Sequence, residues 1–217
     1  MIPLYHDFTD ERVLVFGGGP VGARKARRFA AEAAVTVVSP TFDANDYGDA
    51  ELVRAAPTPE DAADWVRRVD PALVVAATDD EAVNDAVGDA ADEVGALVNR
   101  ADRSRSVDGL TKSVVVPATV EDGDVRVAIS TGGASPALSK HLRERIEAEL
   151  DGAGAMAELT GALREELRAG PYTAAERRDA VRAVVRSDRV WKALRTGETK
   201  AREEADRVIR NTVGGER

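Results

Sequence analysis

A chain of 217 residues has room for one ordinary domain and a smaller appendage. Its hydrophobic fraction of 43% suffices for a core, yet with aromatics at 4% that core must be filled by Ala, Val and Leu. A formal charge of -9 argues against nucleic acid as the main partner, and the lack of cysteine excludes disulfides, cysteine-held iron–sulfur clusters and thiolate zinc.

No apolar run approaches the ~20 residues of a membrane span. The opening Met1-Ile2-Pro3-Leu4-Tyr5-His6-Asp7 has neither the basic start nor the apolar run of a signal peptide, so a cytoplasmic protein is expected. The first strong signal is Val13-Leu14-Val15-Phe16, four apolar residues that read as a strand buried on both faces of a parallel sheet. Gly17, Gly19 and Gly22 follow in the G-x-G-x-x-G spacing and lead into an Ala- and Arg-rich helix. In that pattern the first glycine permits the tight turn, the second lets a pyrophosphate approach the backbone, and the third lets helix and strand pack closely. The anion would rest at the helix N-terminus, on free N–H groups and the positive end of the helix dipole.

Residues 35–38 read as a second strand, closed by Ser39-Pro40. The acidic residue that ends this strand in the usual NAD fold is missing, and no carboxylate follows until Asp43. No arginine stands there for a 2′-phosphate either, which leaves NAD and NADP both open. A short strand near residues 51–54, a helix over Pro59–Val69 and a clear strand at 72–77 come next. That strand ends in Thr78-Asp79-Asp80, at the edge where open parallel sheets bind ligands. Thr78 and Asp79 therefore point to the nucleotide, and one of them also serves to cap the helix expected over 80–94.

Residues 96–99 form a fifth strand, again ending at the ligand edge. The alternation of strand and helix predicts a doubly wound α/β domain with right-handed crossovers. A charged loop, 100–112, breaks the pattern. Residues 113–117 and 125–130 then read as two strands joined by a hairpin turn at Glu121-Asp122-Gly123-Asp124. A second glycine loop, Thr131-Gly132-Gly133-Ala134-Ser135-Pro136, leads into a helix, with Ser135 suited to the N-cap and Pro136 to the first turn. Leu138, Leu142, Ile146 and Leu150 make one apolar stripe on that helix, which fits a dimer surface and ordinary core packing equally. Asp151-Gly152-Ala153-Gly154 reads as a flexible joint. Beyond it lies a helical tail with a capping box at Thr173–Glu176, apolar Val181, Val184 and Val185 on one face, and a charged run read as a solvated surface. Three parts result: 1–112, 113–150 and 151–217.

From residue 1 to about 150, these segments resemble in order the N-terminal module of the siroheme synthases, the precorrin-2 dehydrogenase/sirohydrochlorin ferrochelatase family. The matching residues are Val15 to Lys25, then Ala76-Ala77-Thr78-Asp79-Asp80, Asn84, Asn99 and Pro117-Ala118. Most specific is Val127-Ala128-Ile129-Ser130-Thr131-Gly132-Gly133-Ala134-Ser135-Pro136-Ala137-Leu138. The resemblance implies NAD-dependent oxidation of precorrin-2 to sirohydrochlorin, with ferrous iron insertion as a further activity of some members. It implies NAD contacts from Pro20, Val21, Pro40 and Thr41, beside Gly17, Gly19, Gly22, Thr78, Asp79 and Asn99. The substrate side would be Ser130, Thr131, Gly132, Gly133 and Ser135. The family's aspartate follows the fifth strand as Asn-x-x-Asp, matched by Asn99-Arg100-Ala101-Asp102, which makes Asp102 the expected catalytic residue.

This chain departs from the pattern after that aspartate, where Arg103-Ser104-Arg105-Ser106 and a longer loop put metal insertion in question. Arg100, Arg103 and Arg105 fit tetrapyrrole carboxylates and solvated loop charges equally well. His6 and His141 are the only histidines, and His141 reads as structural. A homodimer through residues 113–150 is implied, with no nucleic acid or membrane partner. Two other readings stay open: a non-catalytic NAD-sensing regulatory domain, and a dehydrogenase-only member without chelatase activity.

Overall fold

A computed structural model describes residues 2–101 and 112–213. Asp102, Arg103 and Arg105 lie outside the described residues. The chain divides into two compact units, Met1–Val116 and Pro117–Arg217.

In the first unit, β1 (Arg12–Phe16), β2 (Ala34–Ser39), β3 (Glu51–Arg54), β4 (Leu73–Ala76) and β5 (Leu97–Arg100) form one parallel sheet in the order β3-β2-β1-β4-β5. Alternating side chains feed two cores, as strand geometry requires. Leu14, Phe16, Val38, Val74, Ala76 and Val98 pack beneath α2 (Pro59–Val69) and α3 (Glu81–Val94). Val13, Val15, Val35, Val37, Leu73 and Val75 pack on the other face under α1 (Pro20–Phe29), with Phe29 and Tyr47. The doubly wound α/β expectation is met. Because the chain runs outward from β1 to β3 and returns to β4 on the far side of β1, the strand order reverses between β1 and β4. Ligands bind at such a switch point, outside the carboxyl ends of the strands.

The helix α2 starts as its sequence asks. Thr58 and Asp61 form a reciprocal capping box and Pro59 takes the first turn. The start of α3 differs from expectation. Neither Thr78 nor Asp79 caps it; Asp80 does, accepting from the backbone N–H of Ala82 and Val83. Thr78 is instead engaged by Asn84, as described below.

The hairpin also starts later than the sequence suggested. Ser113 makes only an isolated parallel bridge to Val98, so residues 112–114 lie along β5 rather than in a hairpin. The hairpin strands are β6 (Ala118–Asp122) and β7 (Val125–Ile129), with Asp122 opposite Val125. The turn explains the shift. A two-residue Gly123-Asp124 loop, with Gly123 at φ 54°, draws Glu121 and Asp122 into the ladder, and the partner of Ile129 is then Ala118.

The second unit adds α4 (Pro136–Leu150), α5 (Ala153–Ala169), α6 (Ala174–Val185), α7 (Asp188–Leu194) and α8 (Glu198–Val213) to this hairpin. Met156, Leu163, Leu167, Ala180, Val184, Val190, Ala205 and Ile209 make its core. Val185 is not part of it and stays 41% exposed. Gly154 is no joint residue. It sits in the first turn of α5, where a Cβ would lie 2.6 Å from the Asp122 carbonyl oxygen, so hairpin and helix touch through bare backbone.

Candidate functional site

The glycine turn occupies the switch point. Phe16 ends β1, and Gly17 donates its N–H to the Val38 carbonyl at 3.0 Å while Ala77 donates to the Phe16 carbonyl at 2.9 Å. Gly17 adopts φ 115°, and a Cβ there would stand 2.3 Å from the Ala77 oxygen. A Cβ on Gly22 would meet the Gly17 carbonyl oxygen at 1.9 Å. The turn therefore folds back onto its own helix and onto the end of β4. Gly19 differs from both, since its Cβ position has no atom within 4 Å. It is the N-cap of α1, with no side-chain cap and no acidic residue in the first turn. Open space above bare helix N–H groups suits an anion.

Two side chains brace this turn. Tyr47, 6% exposed, donates its hydroxyl to the Gly18 carbonyl. Ser39, at the end of β2, donates to the Thr41 carbonyl at 2.8 Å, and a Cβ on Gly18 would lie 2.3 Å from that same oxygen. Thr41 is thus brought against the glycine turn, with exposed Pro20, Val21 and Pro40 at the same edge. Tyr47 carried no sequence signal, because it stands in an irregular polar stretch 29 residues from the carbonyl it holds. Arg54 was missed for a related reason. The β2–β3 register sets it opposite Ser39, so an arginine does stand at this edge, 15 residues from where a linear reading looks for it.

On the other wall, Asn84 clamps the loop that follows β4. Its Oδ1 accepts from the Thr78 backbone N–H at 3.2 Å and from the Thr78 hydroxyl at 2.7 Å, and its Nδ2 donates to the Thr78 carbonyl at 2.9 Å. Asn84 is 1% exposed, which makes it a fixed support for Thr78. Asp79 next to it is exposed. Asn99, on β5, is 5% exposed and donates Nδ2 to the Val114 carbonyl at 2.8 Å. Its buried Oδ1 has no partner among the described residues.

Arg100 departs from one of the two readings its sequence context offers. It belongs to β5, is 5% exposed, and its Nη1 meets the Asp85 carboxylate at 2.6 Å, so it links strand to helix and is not a loop charge. On α1, half-buried Lys25 is pushed down to about 8, chiefly by burial and then by the nearby Arg28 and Arg24. Burial and the neighbouring guanidinium charges all disfavour a positive charge there.

The second glycine loop lies in the other unit and is held by its own side chains. The Thr131 hydroxyl accepts from the Ser135 backbone N–H at 3.3 Å and lies 3.1 Å from the Ser139 hydroxyl. Ser130 Oγ accepts from the Gly132 N–H at 3.2 Å, and Ser135 caps α4 by accepting from the Leu138 N–H. Gly132 and Gly133 take positive φ, 63° and 78°. Among the described residues no group of three or more His, Cys, Asp or Glu is placed to hold a metal ion. Nor is any helix long and apolar enough to cross a membrane.

A switch-point crevice with an open, uncapped glycine turn defines a dinucleotide-binding protein of the Rossmann class. Two family models match: one described as "Putative NAD(P)-binding" over residues 4–118, and one described as "Sirohaem biosynthesis protein central" over 122–149. The chain belongs to the siroheme synthase N-terminal module family.

It is 34% identical to siroheme synthase 1 of Aeromonas salmonicida over 223 residues, covering 98% of this chain and 45% of that protein. With the siroheme synthase of Salmonella arizonae the identity is 32%, covering 92% and 43%. The chain thus spans less than half the length of these relatives. Among solved structures, one named SirC, precorrin-2 dehydrogenase, superposes with a TM-score of 0.67 at 24% identity, covering 96% of this chain and 98% of that one, which shows the shared fold. NAD is the cofactor that fits the crevice, whose glycine turn is open above Gly19.

Proposed function

We propose that this chain oxidises precorrin-2 to sirohydrochlorin with NAD, a step on the route to siroheme. The observation that carries the reading is the pairing of two matched segments in one chain. One is an NAD crevice that lacks an acidic clamp after β2, and the other is the sirohaem-biosynthesis segment over residues 122–149.

The reaction removes two hydrogens from the macrocycle. NAD supplies a hydride acceptor, and the proton needs a base. Gly17, Gly19 and Gly22, with Pro20, Val21, Pro40 and Thr41, would hold the dinucleotide, while Thr78, Asp79 and Asn99 close its far side. Asn99 has an acceptor to offer in its unpartnered Oδ1. Asp102 is proposed as the base, a role worth about 10²–10⁴-fold in rate. Ser130, Thr131, Gly132, Gly133 and Ser135 are proposed for the substrate side.

Incubating precorrin-2 with NAD and this protein should produce the sirohydrochlorin spectrum and NADH together. Asp102→Asn should keep NAD affinity and lose turnover. An unchanged precorrin-2 spectrum beside tight NAD binding would favour the NAD-sensing reading instead. Adding ferrous ion to the product, and watching for siroheme, separates a bifunctional member from a dehydrogenase alone. The homodimer is part of the same proposal. No residue of α4 is buried, and Leu138 on its apolar stripe is 48% exposed, which a second copy would cover. Light scattering at the monomer mass would remove the dimer.

A further inference from the structure

The C-terminal helices carry a feature that the NAD crevice does not use. Leu163, Leu167, Ala180 and Val184 turn one face of α5 and α6 into the bundle core. Flanking these core positions are Arg164 and Arg168 on α5, and Arg177, Arg178 and Arg182 on α6, with 164/168 and 178/182 each one turn apart. These five arginines line a single groove of about 520 Å³, with Ala174 and Val181 as its apolar wall. The whole chain carries a charge of -9, so five cations converging on one concavity is a local reversal of its field.

Neighbouring carboxylates neutralise the groove only in part. Glu165 pairs with Arg168 at 3.2 Å and Asp179 with Arg182 at 3.2 Å. Glu166 is taken by Arg202, and Glu176 by the capping box with Thr173. Arg177 donates to the Tyr172 carbonyl at 2.9 Å. Arg164 and Arg178 have no ion-pair partner among the described residues. Like charges four residues apart on a helix, as at Arg164/Arg168 and Arg178/Arg182, repel one another. That repulsion is offset when an anion enters.

We propose that the five-arginine groove between α5 and α6 is a binding site for a multiply carboxylated tetrapyrrole. The choice of ligand rests on the proposed function, while the anion site itself does not. Three features favour that class. Guanidinium forks pair carboxylates two bonds at a time. The volume suits a drug-sized molecule and exceeds what one inorganic ion fills. The apolar wall of Ala174 and Val181 gives a macrocycle edge something to lie against. A nucleic acid would need a basic stripe that extends along a surface, whereas these charges close on one groove.

The test uses the full chain and uroporphyrin I, an octacarboxylate, titrated by fluorescence at low and high salt, with mesoporphyrin (two carboxylates) and pyrophosphate as competitors. Wild type should bind uroporphyrin with an affinity that falls as salt rises. The double variant Arg164→Gln/Arg178→Gln should bind it at least about tenfold more weakly, since two charge-assisted pairs are lost. Mesoporphyrin binding should change little between the two proteins. Equal uroporphyrin affinity in wild type and variant overturns the proposal. So does displacement of uroporphyrin by pyrophosphate at concentrations below those of the porphyrin, which would mark a phosphate site. Dehydrogenation of precorrin-2 by wild type is measured separately. Variant-sensitive porphyrin binding without dehydrogenation leaves the groove standing and removes the activity. Dehydrogenation with variant-insensitive porphyrin binding does the reverse.

Discussion

Replacing Gly22 by alanine is expected to destabilise the NAD-binding unit by about 3 kcal/mol, at the upper end for an overpacked site, and to lower its melting temperature by roughly 10 °C. The added methyl would stand 1.9 Å from the Gly17 carbonyl oxygen, which is backbone and already committed to the turn. Alanine is the better helix former by about 1 kcal/mol, so propensity alone predicts a gain. Overlap wins over propensity here, because neither partner is a flexible side-chain end. Gly19→Ala should behave in the opposite way. Its φ of -77° suits any residue and its Cβ meets nothing. The poorer N-cap and the smaller unfolded-state entropy nearly cancel, leaving stability within about 1 kcal/mol of wild type. NAD affinity should nonetheless fall by at least about tenfold, or 1.4 kcal/mol, since the methyl fills the space left for the pyrophosphate. Thermal melts and calorimetric titration with NAD check the pair. A Gly19→Ala protein that binds NAD normally would refute the placement of the phosphates.

This contrast among glycines could be read only in part from the sequence. The motif spacing identified the turn, and the buried run 13–16 identified its strand, because both are local signals of period and composition. The sheet was legible for the same reason: β1, β2, β4 and β5 are short apolar runs, and helices follow β1, β3 and β4. What stayed hidden depended on pairings distant in the chain. Tyr47 reaches the Gly18 carbonyl, and Arg54 stands opposite Ser39, only once β2 and β3 are in register. Arg100 looked like the first residue of a charged loop. Its burial against Asp85 follows from where β5 ends, and strand ends are the least legible boundary. Residues 113–116 show how an apolar run misleads. Val114 and Val116 do pack against the core, but the Gly123 turn, not their hydrophobicity, decides which residues form the hairpin. The arginines of α5 and α6 read as a solvated face because each helix alone looks amphipathic. Their convergence exists only after the two helices pack.

The loop after β4 offers the second large effect, and Asn84 is the residue to change. Asn84→Ala removes one donor and one acceptor that together hold the N–H, the hydroxyl and the carbonyl of Thr78. The hydroxyl still has the Asp80 carbonyl, 3.0 Å away, so it loses least. The Thr78 N–H and carbonyl are left in a half-buried loop, each costing about 1–3 kcal/mol if water cannot replace the amide. Because Thr78 is partly exposed, the lower part of that range applies. Alanine returns about 0.5 kcal/mol in helix propensity, and the expected net loss is about 2–3 kcal/mol. Asp80→Ala makes the informative companion. It deletes the cap of α3, worth about 1 kcal/mol, yet keeps the Asn84 clamp and the backbone carbonyl that Thr78 uses. If Asn84 supports the crevice, its alanine variant should weaken NAD binding about fivefold or more, close to 1 kcal/mol, while Asp80→Ala stays near wild type. Equal NAD affinities in the two variants would mean that Asn84 only stabilises the fold, and that the wall formed by Thr78 is rigid without it.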